Sequence, residues 1–287
     1  MKSFAALALA LAILGFSLLA GGPAGAAADL PPGSRVERDV AYGPDPAQRM
    51  DIYLPARPRQ APVLLMVHGG GWFRGDKAMG NVVANKVARW LPQGIIVISV
   101  NNRLVPEADP VEQADDIALA LAFAQARAPS WGGDPARFVL MGHSAGAHLV
   151  ALLAADPAIA ARRGARPWLG TIPLDSAAYD VARIMNARHF KLYDRAFGDD
   201  PAFWQQASPF HRLAGRPAPL LLVCSSRRAV SCAQARGFAE KVTSMGARAT
   251  VLPVDLSHGA INQELGLPGD YTDAVEAFMR SLGILPR

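Results

Sequence analysis

Phe138-Val139-Leu140-Met141-Gly142-His143-Ser144-Ala145-Gly146-Ala147-His148-Leu149 is the stretch that decides how this chain is built. A short apolar run with the pattern of a buried strand meets a Gly-x-Ser-x-Gly pentapeptide and then turns helical. The two glycines remove the Cβ atoms that would collide where strand and helix almost touch. Ser144 is thereby expected on a tight, strained turn, its hydroxyl clear of the backbone and a helix N-terminus beneath it. Glycine- and alanine-rich chains produce such a pentapeptide by chance, so its surroundings carry the weight.

Upstream, Pro62-Val63-Leu64-Leu65-Met66-Val67 runs into His68-Gly69-Gly70-Gly71-Trp72. Successive glycines after a buried strand leave backbone N–H groups that no side chain shields. Acyl transfer needs such donors, because negative charge builds on the carbonyl oxygen of the tetrahedral intermediate. Gly70 and Gly71 are candidate donors, with the N–H of Ala145, next to the serine, as a third. A glycine turn that merely lets two elements pack is the rival reading. It explains less well why both motifs follow apolar strands and stand in this order.

With these motifs the chain resembles the α/β-hydrolase family, specifically carboxylesterases with a His-Gly-Gly-Gly oxyanion loop. That group includes hormone-sensitive-lipase-like esterases and the feruloyl-esterase and arylformamidase-like enzymes. The resemblance covers residues 36 to 283. It takes in Asn102-Arg103-Leu104-Val105-Pro106-Glu107, close to the family's Tyr-Arg-Leu-Ala-Pro-Glu, and Gly132-Gly133-Asp134-Pro135-Ala136-Arg137, close to Gly-Gly-Asp-Pro-x-Arg. Ala207-Ser208-Pro209 and the late Ser257-His258-Gly259 complete it. The resemblance implies an α/β-hydrolase fold: a mostly parallel central sheet with helices on both faces.

The remaining pattern agrees. Residues 36–42 and 50–54 read as an opening hairpin, and strands are expected at 63–67, 95–100, 138–143, 169–174, 220–224 and 250–254. Helical spacing occupies 81–90, 110–128, 145–155 and 233–245 between them. Strands alternating with helices imply a parallel sheet covered on both faces, with reactive groups at the C-terminal strand edge. Residues 181–213 fit no core element and are rich in aromatics and turns. They are expected to form a cap-like excursion over the active-site mouth.

A serine hydroxyl is a poor nucleophile until something accepts its proton. Of six histidines, His258 follows the last strand, where the family places its base. His68 belongs to the glycine loop, His143 is the variable residue of the elbow, and His148 lies one helical turn further on. The acid is where the chain departs from its family. The acid is expected in a turn after Leu220-Leu221-Leu222-Val223-Cys224, but that turn reads Ser225-Ser226-Arg227-Arg228-Ala229-Val230-Ser231-Cys232. Setting Ser225 on the family's glycine puts Arg228 where the acid belongs. Several readings stay open: Asp175 at the end of the preceding strand, Asp255 three residues before His258, a Ser-His dyad, or a protein that has lost catalysis. Loss of the triad acid alone costs about 10⁴-fold in serine proteases, so even a dyad retains activity.

The composition is 51% apolar, enough for a sizeable core, and the net charge is +5 with scattered arginines. Scattered charge reads as a solvated basic surface, so no nucleic-acid partner is expected. Met1-Lys2-Ser3, an apolar stretch from Phe4 to Ala20 and small residues at Ala24 and Ala26 make residues 1–28 a secretory signal peptide. The mature chain, 29–287, is then read as a single catalytic domain, exported to the periplasm or beyond, with no stable membrane anchor after cleavage. Cys224 and Cys232 are the only cysteines, and in an oxidising compartment an even number favours a disulfide. No histidine or cysteine stands at ligand spacing and no glycine loop carries a phosphate-binding lysine, so neither metal nor cofactor is expected. Arg103, Asp115 and Asp116 are read as structural ion-pair residues. Two functions follow: a secreted serine esterase for small or aromatic carboxylic esters, with arylformamidase-type amide hydrolysis as its neighbour, or a non-catalytic binding protein of the same fold.

Overall fold

A computed structural model describes residues 30–286; the segment read as a signal peptide, residues 1–28, lies outside the described residues. Two antiparallel strands open the chain, β1 (Arg35–Ala41) and β2 (Arg49–Leu54). Strand and helix then alternate through β3 (Ala61–Val67), α1 (Gly80–Trp90), β4 (Ile96–Val100), α2 (Pro110–Arg127) and β5 (Gly133–His143). The helices α3 (Ala145–Ala155) and α4 (Ala158–Arg162) lead into β6 (Gly170–Leu174). Four short helices follow: α5 (Val181–Met185), α6 (Lys191–Phe197), α7 (Pro201–Gln206) and α8 (Pro209–Arg212). The described chain closes with β7 (Leu220–Ser225), α9 (Ala229–Ser244), β8 (Ala249–Val254), α10 (His258–Gln263) and α11 (Asp270–Ser281). One eight-stranded sheet results, in the order β1-β2-β4-β3-β5-β6-β7-β8, antiparallel at β1 and β2 and parallel from β4 onward.

The period of two explains why both faces need cover. Val63, Leu65 and Val67 of β3 point into one core, with Leu121 and Ala124 of α2, Leu149 of α3 and Phe238 of α9. Leu64 and Met66 point into the other, with Val83 and Trp90 of α1 and Val275 and Met279 of α11. Every residue of α3 is buried, so it reads as apolar all round rather than as a stripe. The end of α2 nearest the site is fixed by a capping box: Asp109 accepts from Val111 and Glu112 N–H while Glu112 accepts from Asp109 N–H.

The α/β architecture is as expected, with differences at its margins. Helix α9 starts four residues before the expected 233. Helices α10 and α11 stand where the sequence reading expects no element. Helix α10 begins at His258 itself, and its cap, Ser257 accepting from Ala260 N–H, is hidden in what reads as a motif. The expected ion pairs separate: Arg103 grips buried Asp116 at 2.8 Å, while Asp115 pairs with Arg163. Cys224 and Cys232 form a disulfide joining the end of β7 to α9. Among the described residues no helix is long and apolar enough to cross a membrane.

Candidate active site

The turn between β5 and α3 is built as the glycines require. Ser144 holds φ +56°, a left-handed conformation that costs a non-glycine residue roughly 1–3 kcal/mol. A Cβ on Gly142 would lie 2.3 Å from the carbonyl oxygen of Gly146, and one on Gly146 would lie 2.4 Å from those of Val67 and His68. Strand β3 therefore packs directly on the first turn of α3, which brings the glycine loop beside the serine. The strained turn is held by Ser144 N–H donating to Leu174 O at 2.9 Å.

The loop after β3 leaves the N–H groups of Gly70 and Gly71 without an acceptor among the described residues, as is that of Ala145 at the first position of α3. Gly70 has φ +132° and sits so close to Arg74 O that a Cβ would lie 1.8 Å away. His68 is a prop within this loop, its Nδ1 2.7 Å from Gly69 O, and burial lowers its pKa so that the ring stays neutral. Trp72 fixes the loop's far end. Its carbonyl accepts from Val105 N–H and from Gln113, and its indole N–H donates to His148 Nδ1 at 3.1 Å. His148 in turn donates from Nε2 to Ala207 O at 2.7 Å. Burial drives its pKa down to about 4, in keeping with this single neutral tautomer. The residues of 181–213 thus dock on the glycine loop, with Phe197 4.8 Å and Tyr193 6.0 Å from the Trp72 ring.

His258 Nε2 lies 2.9 Å from Ser144 Oγ, and His258 Nδ1 lies 2.6 Å from Asp175 Oδ2. The hydrogen-bonded carboxylate thus comes from the end of β6, one strand earlier than the family pattern. Asp175 is fully buried, with φ +55°. Its Oδ1 accepts from Ser225 N–H at 2.8 Å and from the Ser231 hydroxyl. Burial alone would raise its pKa; the hydrogen bonds from His258, Ser225 and Ser231 and the nearby Arg228 charge outweigh it and hold the carboxyl well below the usual range. Asp255 is a correction. Its side chain is 81% exposed and pairs with Arg227 at 2.8 Å, and no hydrogen bond joins it to His258. The turn after β8 points it outward, while α10 begins at His258 and carries the imidazole inward.

The β7 turn contributes a cation rather than an acid. Arg228 Nη1 lies 2.5 Å from Asp175 Oδ2 and 2.8 Å from His258 Nδ1. Guanidinium only donates, so it and Nδ1–H share one carboxylate oxygen. A bare Nδ1 would accept from Arg228 and turn Nε2–H toward Ser144, the tautomer that cannot take the serine proton. Asp175 selects against that tautomer by accepting from Nδ1. Behind the base, His143 donates from Nε2 to His258 O at 2.8 Å, and burial together with the His258 charge brings its pKa down to about 3. Lys86, fully buried, donates to Asn262 O and Oδ1 at 2.6 and 2.9 Å and braces α10 from below. Ser231, Lys86 and Asn262 carry no motif, and only their place in the fold marks them.

Ser144, His258 and the glycine loop open onto a cleft of about 630 Å³, walled on its far side by Phe190, Leu192 and Tyr193. The arrangement has the parts for nucleophilic acyl transfer: an exposed hydroxyl, a base in reach, a buried carboxylate behind it and free N–H donors at the same mouth.

Comparison with known proteins follows the same line. Residues 50–161 match the BD-FAE family model. Esterase LipC of Mycobacterium tuberculosis is 30% identical over 232 residues, covering 72% of this chain and 55% of that protein. The isoprenylcysteine alpha-carbonyl methylesterase ICME of Arabidopsis thaliana is 28% identical over 243 residues, covering 76% of this chain. The chain spans 55% of the length of each of these two relatives. Among solved structures, esterase B from Lactobacillus rhamnosis superposes with a TM-score of 0.71 at 21% identity, over 88% of this chain and 86% of that one. A carbohydrate esterase from gut microbiota, in truncated form, gives 0.72 at 19% identity, over 87% and 96%. Sheet order, elbow and sequence similarity agree: the chain has the α/β-hydrolase fold and is similar to carboxylesterases that share it.

Proposed function

We propose that this protein is an exported serine esterase that hydrolyses small or aromatic carboxylic esters through an acyl-enzyme on Ser144. The observation that carries the reading is the unbroken relay of 2.9 Å from Ser144 to His258 and 2.6 Å from His258 to Asp175, beside three free N–H groups. Ser144 Oγ attacks the ester carbonyl as His258 Nε2 takes its proton. The N–H groups of Gly70, Gly71 and Ala145 receive the oxyanion. Asp175 holds the tautomer and stabilises the imidazolium, which then protonates the leaving alcohol. Water attacks the acyl-enzyme by the reverse path. An amide of arylformamidase type follows the same course with an amine leaving. The relatives named esterase and methylesterase support ester over amide chemistry.

In this reading residues 29–287 are one catalytic domain, and residues 181–213 cover its mouth. Export rests on the segment read as a signal peptide and is supported by the disulfide. The mass of the protein recovered outside the cytoplasm tests it, since an intact N-terminus would count against cleavage. A second reading, a non-catalytic binding protein, draws on Arg228, a cation that stands 2.8 Å from His258 Nδ1 in the turn where an acid is expected. Fluorophosphonate labelling separates the two, because only an activated serine reacts. The protein is expected to label at Ser144 and to hydrolyse short p-nitrophenyl esters, and Ser144→Ala to lose both with its melting temperature nearly unchanged. A folded protein that takes no label would overturn the esterase reading.

A further inference from the structure

Beside the catalytic cleft lies a second cavity of about 820 Å³. Ala177, Phe190, Tyr193 and Arg228 line both, so the two spaces share a wall and meet at Arg228. The body of the second cavity is apolar, with Ile184, Ala187, Val230 and Ala233 among its lining residues. Its charges are of one sign: Arg183, Arg188 and Arg228 face it, and no aspartate or glutamate lines it. The acids nearby are already engaged. Asp175 holds Arg228 and His258, Asp194 is paired with His189 at 2.8 Å, and Asp180 caps α5 and meets His211 at 3.6 Å. Arg228 is thus largely compensated. Among the described residues Arg183 and Arg188 have no partner for their guanidinium groups, so the uncompensated positive charge sits on residues that line this cavity and not the catalytic cleft.

An apolar chamber that shares a wall with the cleft of the serine and carries two unpaired guanidinium groups matches a molecule with an apolar body and an anionic tip. Guanidinium suits a carboxylate best, since its planar fork takes both oxygens at once. We propose that this cavity is a second substrate subsite, and that the preferred esters carry a carboxylate several bonds from the reacting carbonyl. The proposal deepens the esterase reading and rests on it. Arg183 and Arg188 set specificity here without touching the reacting atoms. Phe190, 73% exposed on the shared wall, is the side chain such a substrate passes.

Two matched pairs of esters test it. One pair carries the charge on the acyl side: p-nitrophenyl hexanoate and the mono-p-nitrophenyl ester of adipic acid. The other carries it on the leaving side: phenyl butyrate and 3-carboxyphenyl butyrate. In at least one pair the anionic member is expected to show a kcat/KM about tenfold higher, mainly through a lower KM, as two weak guanidinium contacts provide. The Arg183→Ala/Arg188→Ala double variant is expected to lose that preference while turning over the neutral esters at the parent rate. Equal or lower rates for both anionic members would overturn the subsite, as would a preference that survives in the double variant. Turnover of the neutral esters reads the esterase activity by itself. Calorimetric titration of 4-phenylbutanoate reads the subsite without turnover. Binding to the parent that the double variant loses supports it, and equal or absent binding in both overturns it.

Discussion

The two halves of the site are made of different material. On the β3 and β5 side the proposed working groups are backbone N–H groups and one serine, and what holds them is the absence of side chains at Gly70, Gly142 and Gly146. On the β6 and β7 side the proposed working groups are side chains from three separate strand ends: Asp175 after β6, Arg228 and Ser231 after β7, and His258 after β8. Steric exclusion fixes the first half, within single turns at Gly70 against Arg74 and Gly142 against Gly146, and between β3 and α3 at Gly146 against Val67 and His68. The second half is fixed by hydrogen bonds spanning 56 residues from Asp175 to Ser231 and 83 from Asp175 to His258. A backbone-built half tolerates no new atom. A side-chain-built half can move its acid from one strand to the next, provided the carboxylate still reaches the imidazole.

The largest expected effect falls on the side-chain half. Asp175→Asn keeps the shape but accepts poorly from Nδ1–H and leaves Arg228 uncompensated, so kcat on a p-nitrophenyl ester should fall about 10⁴-fold. Asp255→Asn, at an exposed pair, should stay within about twofold. Equal losses in the two variants would break the assignment of the acid to β6.

A smaller loss is expected on the backbone half. Gly70→Ala forces the loop off Arg74 O and displaces an N–H donor, for which about 10²–10³ in kcat is the usual cost. The measurement that sharpens the contrast is KM. Gly70→Ala should leave it nearly unchanged, because the donor acts on the developing charge. A Gly70→Ala enzyme with parental kcat would remove that N–H from the oxyanion site.

The smallest effect is one of stability. His148, which braces the backbone half, and His143, which braces His258, are held at about 4 and about 3 against an ordinary value of 6.5. Below pH 6.5 the unfolded chain takes up protons that the native rings refuse, so stability falls as pH falls. From pH 7 to pH 5 the loss is about 2 kcal/mol for each ring. Asp175, held low, contributes nothing to the change in this window, since its carboxylate stays ionised in both states. A melting temperature that is flat from pH 7 to 5 would mean that the rings charge in place.

The same division decides what the sequence made readable. The sheet, its order of strands and helices and the elbow were legible, because apolar periodicity and glycine pairs act over a few residues. Asp175 was legible only as one of two candidates. A single aspartate at a strand end has no local mark, and its positive φ appears only once Val223 and Ser225 hold it. Arg228 stood out as a missing acid, but its actual neighbour lies 53 residues earlier. Residues 181–213 read as irregular because their four helices are too short for a period to show.

The bond from Trp72 to His148 and on to Ala207 carries a consequence for how the cleft of this protein can be altered. The segment 181–213 is fastened to the glycine-loop end of the sheet by a main-chain oxygen and by ring packing at Phe197 and Tyr193. Most of its other side chains are not part of that fastening. Pocket-facing residues outside the fastening can therefore be substituted while the clasp stays shut. Redecorating that segment is a route to a different substrate range that leaves the Trp72–His148–Ala207 fastening in place.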